Sequence, residues 1–218
     1  MKLRIAAAAS ALAMLSAAPA LADITVISNP PFPQNPPENV LLTGNGPGGS
    51  LLGTTNQTNT NVVFTSSTDA LLAPPQGQAY LATTDGSLQN LNIALANPSL
   101  GFTSFEFNID AASSQQITLL FTDQFGQTQA ANGQPTTFTV GGSGSNFFNA
   151  VASNGEVITN VSLTGVNLTD IGQVRLGGVQ SFSAAVPEPA SWAMMILGLG
   201  GLGGLLRQNR RRTALTLG

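Results

Sequence analysis

From Val62 onward the chain alternates apolar and polar residues with a period of two, and no run of helical period interrupts it. In FTSFEFNID, Phe105, Phe107 and Ile109 fall on one face and Glu106 and Asn108 on the other. QITLLFTD repeats the pattern with Ile117, Leu119 and Phe121, and TTFTV, EVITNVSLTGV and IGQVRLGGVQSF continue it. Turn signals stand between these runs at Asp85-Gly86, Asn132-Gly133 and Asn154-Gly155. Short alternating strands punctuated in this way predict an all-β fold, an antiparallel β-sandwich of jelly-roll-like form. The phenylalanines are its expected core, because inward aromatics supply much of the burial in such sheets.

Ahead of this body, residues 28–61 are rich in Pro, Gly, Asn and Thr, as in SNPPFPQNPPEN and TGNGPGGS. Such composition punctuates rather than builds elements, so it predicts irregular wrapping with one strand at Ile24–Ser28. The exported body is therefore divided into an N-terminal segment, 23–61, and a β-sandwich domain, 62–185. It holds nine acidic residues and one basic one, Arg175, a net charge of −8. That balance excludes nucleic acid as a partner, since phosphates are neutralised by Lys and Arg.

The chain has no His and no Cys. This removes Cys/His metal sites, thiol nucleophiles, Ser-His-Asp triads and any disulfide framework. A Ser-Lys dyad is disfavoured too, as the one lysine is Lys2. No calcium loop of the form D-x-[DN]-x-[DN]-G occurs, and no cofactor is expected.

Both ends read as targeting segments. Residues 1–22 run from Lys2 and Arg4 through an Ala/Leu stretch to Ala20-Leu21-Ala22. This is the charged, apolar, small-residue order of a secretory signal peptide, with Ala20 and Ala22 as the cleavage determinants and Asp23 as the new first residue. It implies signal peptidase and the export machinery as partners. Residues 190–206 form a 17-residue uncharged stretch. As a helix it would reach ~25 Å at ~1.5 Å per residue, just enough to span a hydrocarbon core of ~30 Å. Arg207, Arg210, Arg211 and Arg212 follow at once and would stay cytoplasmic, leaving the body outside. An N-terminal signal helix and a C-terminal transmembrane helix are thus expected to flank the β body. Gly198, Gly200 and Gly203 spell G-x-G-x-x-G, but the strand, soluble helix and downstream acid that a dinucleotide site needs are missing.

Pro187-Glu188-Pro189, then Trp192-Ala193, a glycine-rich apolar helix and a terminal arginine cluster together resemble the PEP-CTERM sorting signal in its PEPxxWA variant, over residues 186–212. The resemblance implies a Gram-negative bacterial protein that is exported and held in the inner membrane by its tail. It would then be cut near the Pro-Glu-Pro motif by an exosortase and delivered to the cell surface or an exopolysaccharide matrix. The motif has physical sense as well: two prolines around Glu188 donate no backbone hydrogen bonds and keep the strip extended outside the helix.

Three functional classes remain for the body. Paired carboxylates could hydrolyse a glycoside without His or Cys, and Glu106 with Asp110 (i, i+4 on one strand face), Asp123, Glu156 and Asp170 are the candidates. Their plainer reading is solvated strand and turn residues, so no catalytic residue is assigned and the protein is expected not to be an enzyme. A lectin-like binder of matrix polysaccharide is the alternative. Its composition is unhelpful, because the single Trp is Trp192 in the tail and the single Tyr is Tyr80. The favoured class is a structural surface or matrix module. The cluster Thr54-Thr55-Asn56-Gln57-Thr58-Asn59-Thr60 is too short for an ice-binding array and reads as a polar loop.

Overall fold

The computed structural model describes residues 23–30, 36–42, 46–73, 80–142, 146–183, 196 and 198. Ala20, Ala22, the 187–189 motif, Trp192, Ala193 and the four terminal arginines lie outside the described residues, as do almost all of the expected signal and transmembrane helices. No helix among the described residues is long and apolar enough to cross a membrane.

The body is almost entirely antiparallel β. Its strands are β1 (Ile24–Ser28), β2 (Glu38–Leu42), β3 (Ser50–Thr55), β4 (Asn61–Thr65), β5 (Leu71–Leu72), β6 (Tyr80–Thr83) and β7 (Leu88–Leu95). They continue with β8 (Leu100–Gly101), β9 (Ser104–Ala111), β10 (Gln115–Asp123), β11 (Thr137–Val140), β12 (Asn146–Ala152), β13 (Ile158–Gly177) and β14 (Gln180–Ser181). β8 and β14 pair as a separate ribbon. The other strands form one connected sheet that closes on itself through β13, β2, β3, β4, β7 and back to β13, which makes it barrel-like. β2 and β3 correct the expectation of irregular chain over 28–61. ENVLL and SLLGTT are strands despite their Pro- and Gly-rich flanks, because each buries alternate side chains, Val40 and Leu51 among them.

β13 is the spine. Its first half pairs with β10 and β7, and its second with β9, β6 and β2. Between them the register shifts from Thr164 to Leu168, and Asn167 takes a φ of 53°, a left-handed value that a non-glycine residue adopts at a kink or turn. β9 and β10 therefore lie end to end along one edge of β13. At the far side of β10, buried Gln129 stands in for a missing strand: its Oε1 accepts from Phe121 N at 2.8 Å and its Nε2 donates to Leu119 O at 2.7 Å. This satisfies backbone groups that burial would otherwise leave costly. Gln129 opens a short 3-10 turn, Gln129–Asn132, that sequence periodicity did not indicate.

The core follows the period-two reading. Phe105, Phe107, Ile109, Ile117, Leu119 and Phe121 are all buried, as are Phe102, Phe138 and Phe148. Their rings form a chain, from Phe102 to Phe105 (5.3 Å between centroids), Phe105 to Phe107 (5.4 Å), Phe107 to Phe148 (5.8 Å) and Phe148 to Phe138 (5.3 Å). Such pairs contribute about 0.5–1.5 kcal/mol each beyond the area they bury. The predicted turns are in place, and at the β12–β13 turn both Asn154 (φ 52°) and Gly155 (φ 82°) are left-handed, the conformation that Asn and Gly adopt most readily.

Candidate functional site

β9 presents Glu106, Asn108 and Asp110 on the face opposite its phenylalanines, and antiparallel register decides what stands beside them. Glu106 lies between Asn149 of β12 and Arg175 of β13, and Arg175 in turn faces Asn39 of β2. Asn108 lies between Phe147 and Gly172, with Tyr80 of β6 beyond the glycine. Asp110 faces Asp170 directly. Three cross-strand rows thus carry an acid–amide–arginine group at one end and a carboxylate pair at the other.

Outward position does not mean solvation here. Glu106 and Asn149 are each 1% exposed, Asn108 5% and Asp170 7%. Asp123 and Glu156 are buried too, so the reading of these acids as solvated residues holds for none of Glu106, Asp123, Glu156 and Asp170. Asp110 alone of the five keeps partial exposure. The Glu106 carboxylate reaches Arg175 Nη1 at 3.9 Å through Oε1. Its Oε2, the Asn108 Oδ1 and both amide atoms of Asn149 have no hydrogen-bond partner among the described residues.

At the other end the Tyr80 hydroxyl donates to Asp170 Oδ2 at 2.9 Å. Burial pushes the Asp170 carboxyl above the usual carboxylate range, and the adjacent Asp110 charge pushes it further, while the Tyr80 hydrogen bond pulls the other way. Tyr80 is raised as well, first by burial and then by Asp170, so its phenol stays a donor. The face thus gathers carboxylates and amides around one cation, most of them buried.

Of the candidate carboxylates, Glu106 and Asp110 are not cross-strand partners, whereas Asp110 and Asp170 are. Glu106 and Asp110 sit four residues apart on one strand, ~13 Å at ~3.3 Å per residue, and each has a different cross-strand partner. Asp123 and Glu156 stand apart from this face, at the turns where β10 ends and β13 begins. Among the described residues no three acidic side chains are grouped to hold a metal ion. Sequence reading missed Arg175, Asn149 and Tyr80 as members of the face. The Asn108 side was visible from the alternation of FTSFEFNID, but register alone brings the others beside it.

The Thr/Asn cluster 54–60 is the β3–β4 connection. Thr58 donates to the Glu38 carboxylate through N (2.9 Å) and Oγ1 (2.8 Å), and Thr55, Thr58 and Thr60 link their hydroxyls.

A family model described as the PEP-CTERM protein-sorting motif matches residues 185–212. The chain carries a PEP-CTERM sorting signal. That signal implies export, a membrane-anchored precursor and processing by an exosortase. No curated protein is similar to the chain in sequence. Among solved structures, the enzymatically active domain of tailspike protein 4 from bacteriophage CBA120 shares 12% identity over 71% of this chain, at a TM-score of 0.25. The chain spans 19% of that domain's length. Two variants of the family 29 carbohydrate-binding module CBM29-2, one complexed with cellulohexaose, share 12% identity at TM-scores of 0.18 and 0.20. The alignments cover 72% and 75% of this chain and 91% and 99% of those modules. Scores this low establish no common fold.

Proposed function

We propose that this chain is the precursor of an exported, exosortase-processed surface or matrix protein whose β body serves a structural role without catalysis. The reading is carried by the sorting signal at 185–212, because it accounts for the apolar stretch, the Pro-Glu-Pro motif and the arginine stop as one device. In this reading the body is a jelly-roll-like sandwich in which β13 crosses from one layer to the other at its kink. The end-to-end placement of β9 and β10 on β13 supports that arrangement. Signal peptidase acts first, after Ala22; the exosortase acts at Pro187-Glu188-Pro189, with Trp192-Ala193 and Arg207, Arg210, Arg211 and Arg212 positioning the tail. The C-terminal mass of the mature protein from intact cells tests this. A terminus near residue 187 is expected, and an intact Gly218 on an exported, released protein would defeat the sorting role.

A second reading, binding of matrix polysaccharide, is favoured by one observation: Tyr80 and Asp110 reach solvent at one end of the β9 face, beside the buried, unpartnered polar atoms of Glu106, Asn108 and Asn149. Sugar hydroxyls would satisfy acceptors and amides of this kind. A glycan array with the processed protein, with and without calcium, separates the two. Saturable binding to one glycan class replaces the purely structural reading, and polysaccharide turnover that disappears in Glu106→Gln would overturn the absence of catalysis.

A further inference from the structure

Asp23, the residue that cleavage after Ala22 would leave as the amino terminus, is already seated on the sheet. Its carbonyl accepts from Ser153 N (3.0 Å) and Ser153 Oγ (3.3 Å), its carboxylate accepts from Asn154 Nδ2, and its backbone N–H donates to Glu156 Oε2. Glu156 is 6% exposed. Asp123, 1% exposed, is close enough for its charge to act on Glu156. Its Oδ1 is taken by the N–H groups of Phe125 (2.8 Å) and Gln127 (2.7 Å), while its Oδ2 is buried without a hydrogen-bond partner. Burial, then the charges of Asp123 and Asp23, hold the Glu156 carboxyl above its ordinary range. The Asp23 N–H therefore serves a Glu156 carboxyl that also stands in the field of Asp123 and of the Asp23 side chain. Arg175, the one basic residue in 23–186, is engaged with Glu106 on another part of the sheet.

We propose that leader removal supplies the missing cation: hydrolysis of the Ala22–Asp23 bond turns the amide donor on Glu156 into an α-ammonium that ion-pairs with Glu156 and Asp123 and fastens β1 to the sheet. One water is consumed. Its oxygen ends in the Ala22 carboxylate, and its two protons end on the Asp23 nitrogen. β1 is an edge strand that pairs with β12 alone in the sheet order, so its anchoring depends on what holds its first residue. In the precursor the Asp23 carbonyl and carboxylate are held by Ser153 and Asn154, and its nitrogen by one amide hydrogen bond to a desolvated acid. In the processed chain that last bond is a charge-assisted pair, roughly twice as strong as a neutral bond.

The inference rests on the export reading only in requiring a leader to be removed, and its test is separate from the C-terminal one. Lys2 is the single lysine and leaves with the leader, so an amine-selective acetylating reagent meets one target in the processed chain. Processed protein purified from membranes should begin at Asp23; another first residue overturns the inference while leaving the sorting signal untouched. At pH 8 the folded chain should be acetylated about fivefold more slowly than the same chain in urea, the change expected when an ammonium is stabilised by about one pKa unit. Glu156→Gln should restore the folded rate to within about twofold of the unfolded one. Should that variant fail to fold, Asp123→Asn carries the test with a partial restoration. Equal rates in folded and unfolded chain, or slow acetylation that neither variant relieves, would overturn the proposal.

Discussion

Glu38 and Asp69 are buried carboxylates, as are Glu156 and Asp170, yet the two pairs are shifted in opposite directions. Burial pushes all four upward. In Glu38 it is outweighed by backbone and hydroxyl donors from Thr58, with Thr55 and Gln57 adding to them. In Asp69 the Oδ2 accepts from Thr68 Oγ1 (2.7 Å), Ser66 Oγ (3.0 Å), Gln89 N (3.0 Å) and Asn90 N (3.3 Å), and the carboxyl sits below its ordinary range. Glu156 has the Asp23 N–H and two neighbouring acids; Asp170 has the Tyr80 hydroxyl and Asp110. Donor supply, not depth, separates a carboxylate that clasps loops from one left open to a further partner. The saturated pair ties the β3–β4 connection to β2 and the 66–69 turn to β7. The unsaturated pair lies at the end of the body that processing would expose and on the outward polar face.

The largest effect that distinguishes the pairs is expected from Asp69→Ala. It removes the acceptor of two backbone N–H groups and two hydroxyls in a half-buried turn, and a loss of about 2 kcal/mol in urea unfolding is expected. A loss under 1 kcal/mol would mean that donor supply does not mark structural carboxylates here.

Next in size is a difference in pH dependence. Glu38 and Asp69 have depressed folded values, so their stabilisation is complete above their unfolded values of about 4 and is lost as pH falls through the folded ones. Glu156 is raised, so its folded-state proton stabilises below the unfolded value of about 4.3, and this contribution is lost as pH rises through the folded one. With the amino terminus acetylated, the melting temperature should therefore climb as pH drops from 7.5 toward about 5, before the loss at Glu38 and Asp69 sets in. With the α-ammonium free, Glu156 has its cation and the climb should shrink to the part that Asp170, raised in both forms, contributes. Identical melting profiles for the two forms would erase the distinction at Glu156.

Tyr80→Phe comes third. It removes the Asp170 hydrogen bond and leaves that carboxylate against Asp110, but Tyr80 is 37% exposed and water can replace it. A cost of about 1 kcal/mol at pH 7 is expected from thermal unfolding.

How far these pairs could be read from sequence follows from which physical signal each depends on. Alternation carried β9 and β10 in full, down to Phe105, Phe107, Ile109, Ile117, Leu119 and Phe121 in the core. It failed at β2 and β3, where five- and six-residue strands are too short to raise a period above their Pro/Gly-rich surroundings. It also read EVITNVSLTGV and IGQVRLGGVQSF as separate runs, although β13 spans Ile158–Gly177 with an internal bulge, because a kink that keeps the ladder looks like a break in one dimension. The candidate acids were all visible as residues. Their partners were not, since pairing Asp110 with Asp170 across 60 positions, or Glu156 with Asp23 across 133, is a matter of register and closure that no local pattern encodes. The sorting signal was legible because it is a contiguous one-dimensional device.

Asp170→Asn should have the smallest effect and sharpens the contrast most. At a saturated carboxylate an amide cannot accept every donor and leaves some unpaired. At Asp170 the amide oxygen can keep the Tyr80 hydrogen bond, and the NH2 group gains Asp110 as an acceptor where a second carboxylate repelled it. The expected change at pH 7 is within about 0.5 kcal/mol and on the stabilising side, shrinking as the pH is lowered and Asp170 takes up its proton. A clear destabilisation at neutral pH would place Asp170 with Glu38 and Asp69 as a structural clasp, and would remove the carboxylate pair from the outward face as a candidate for ligand contact.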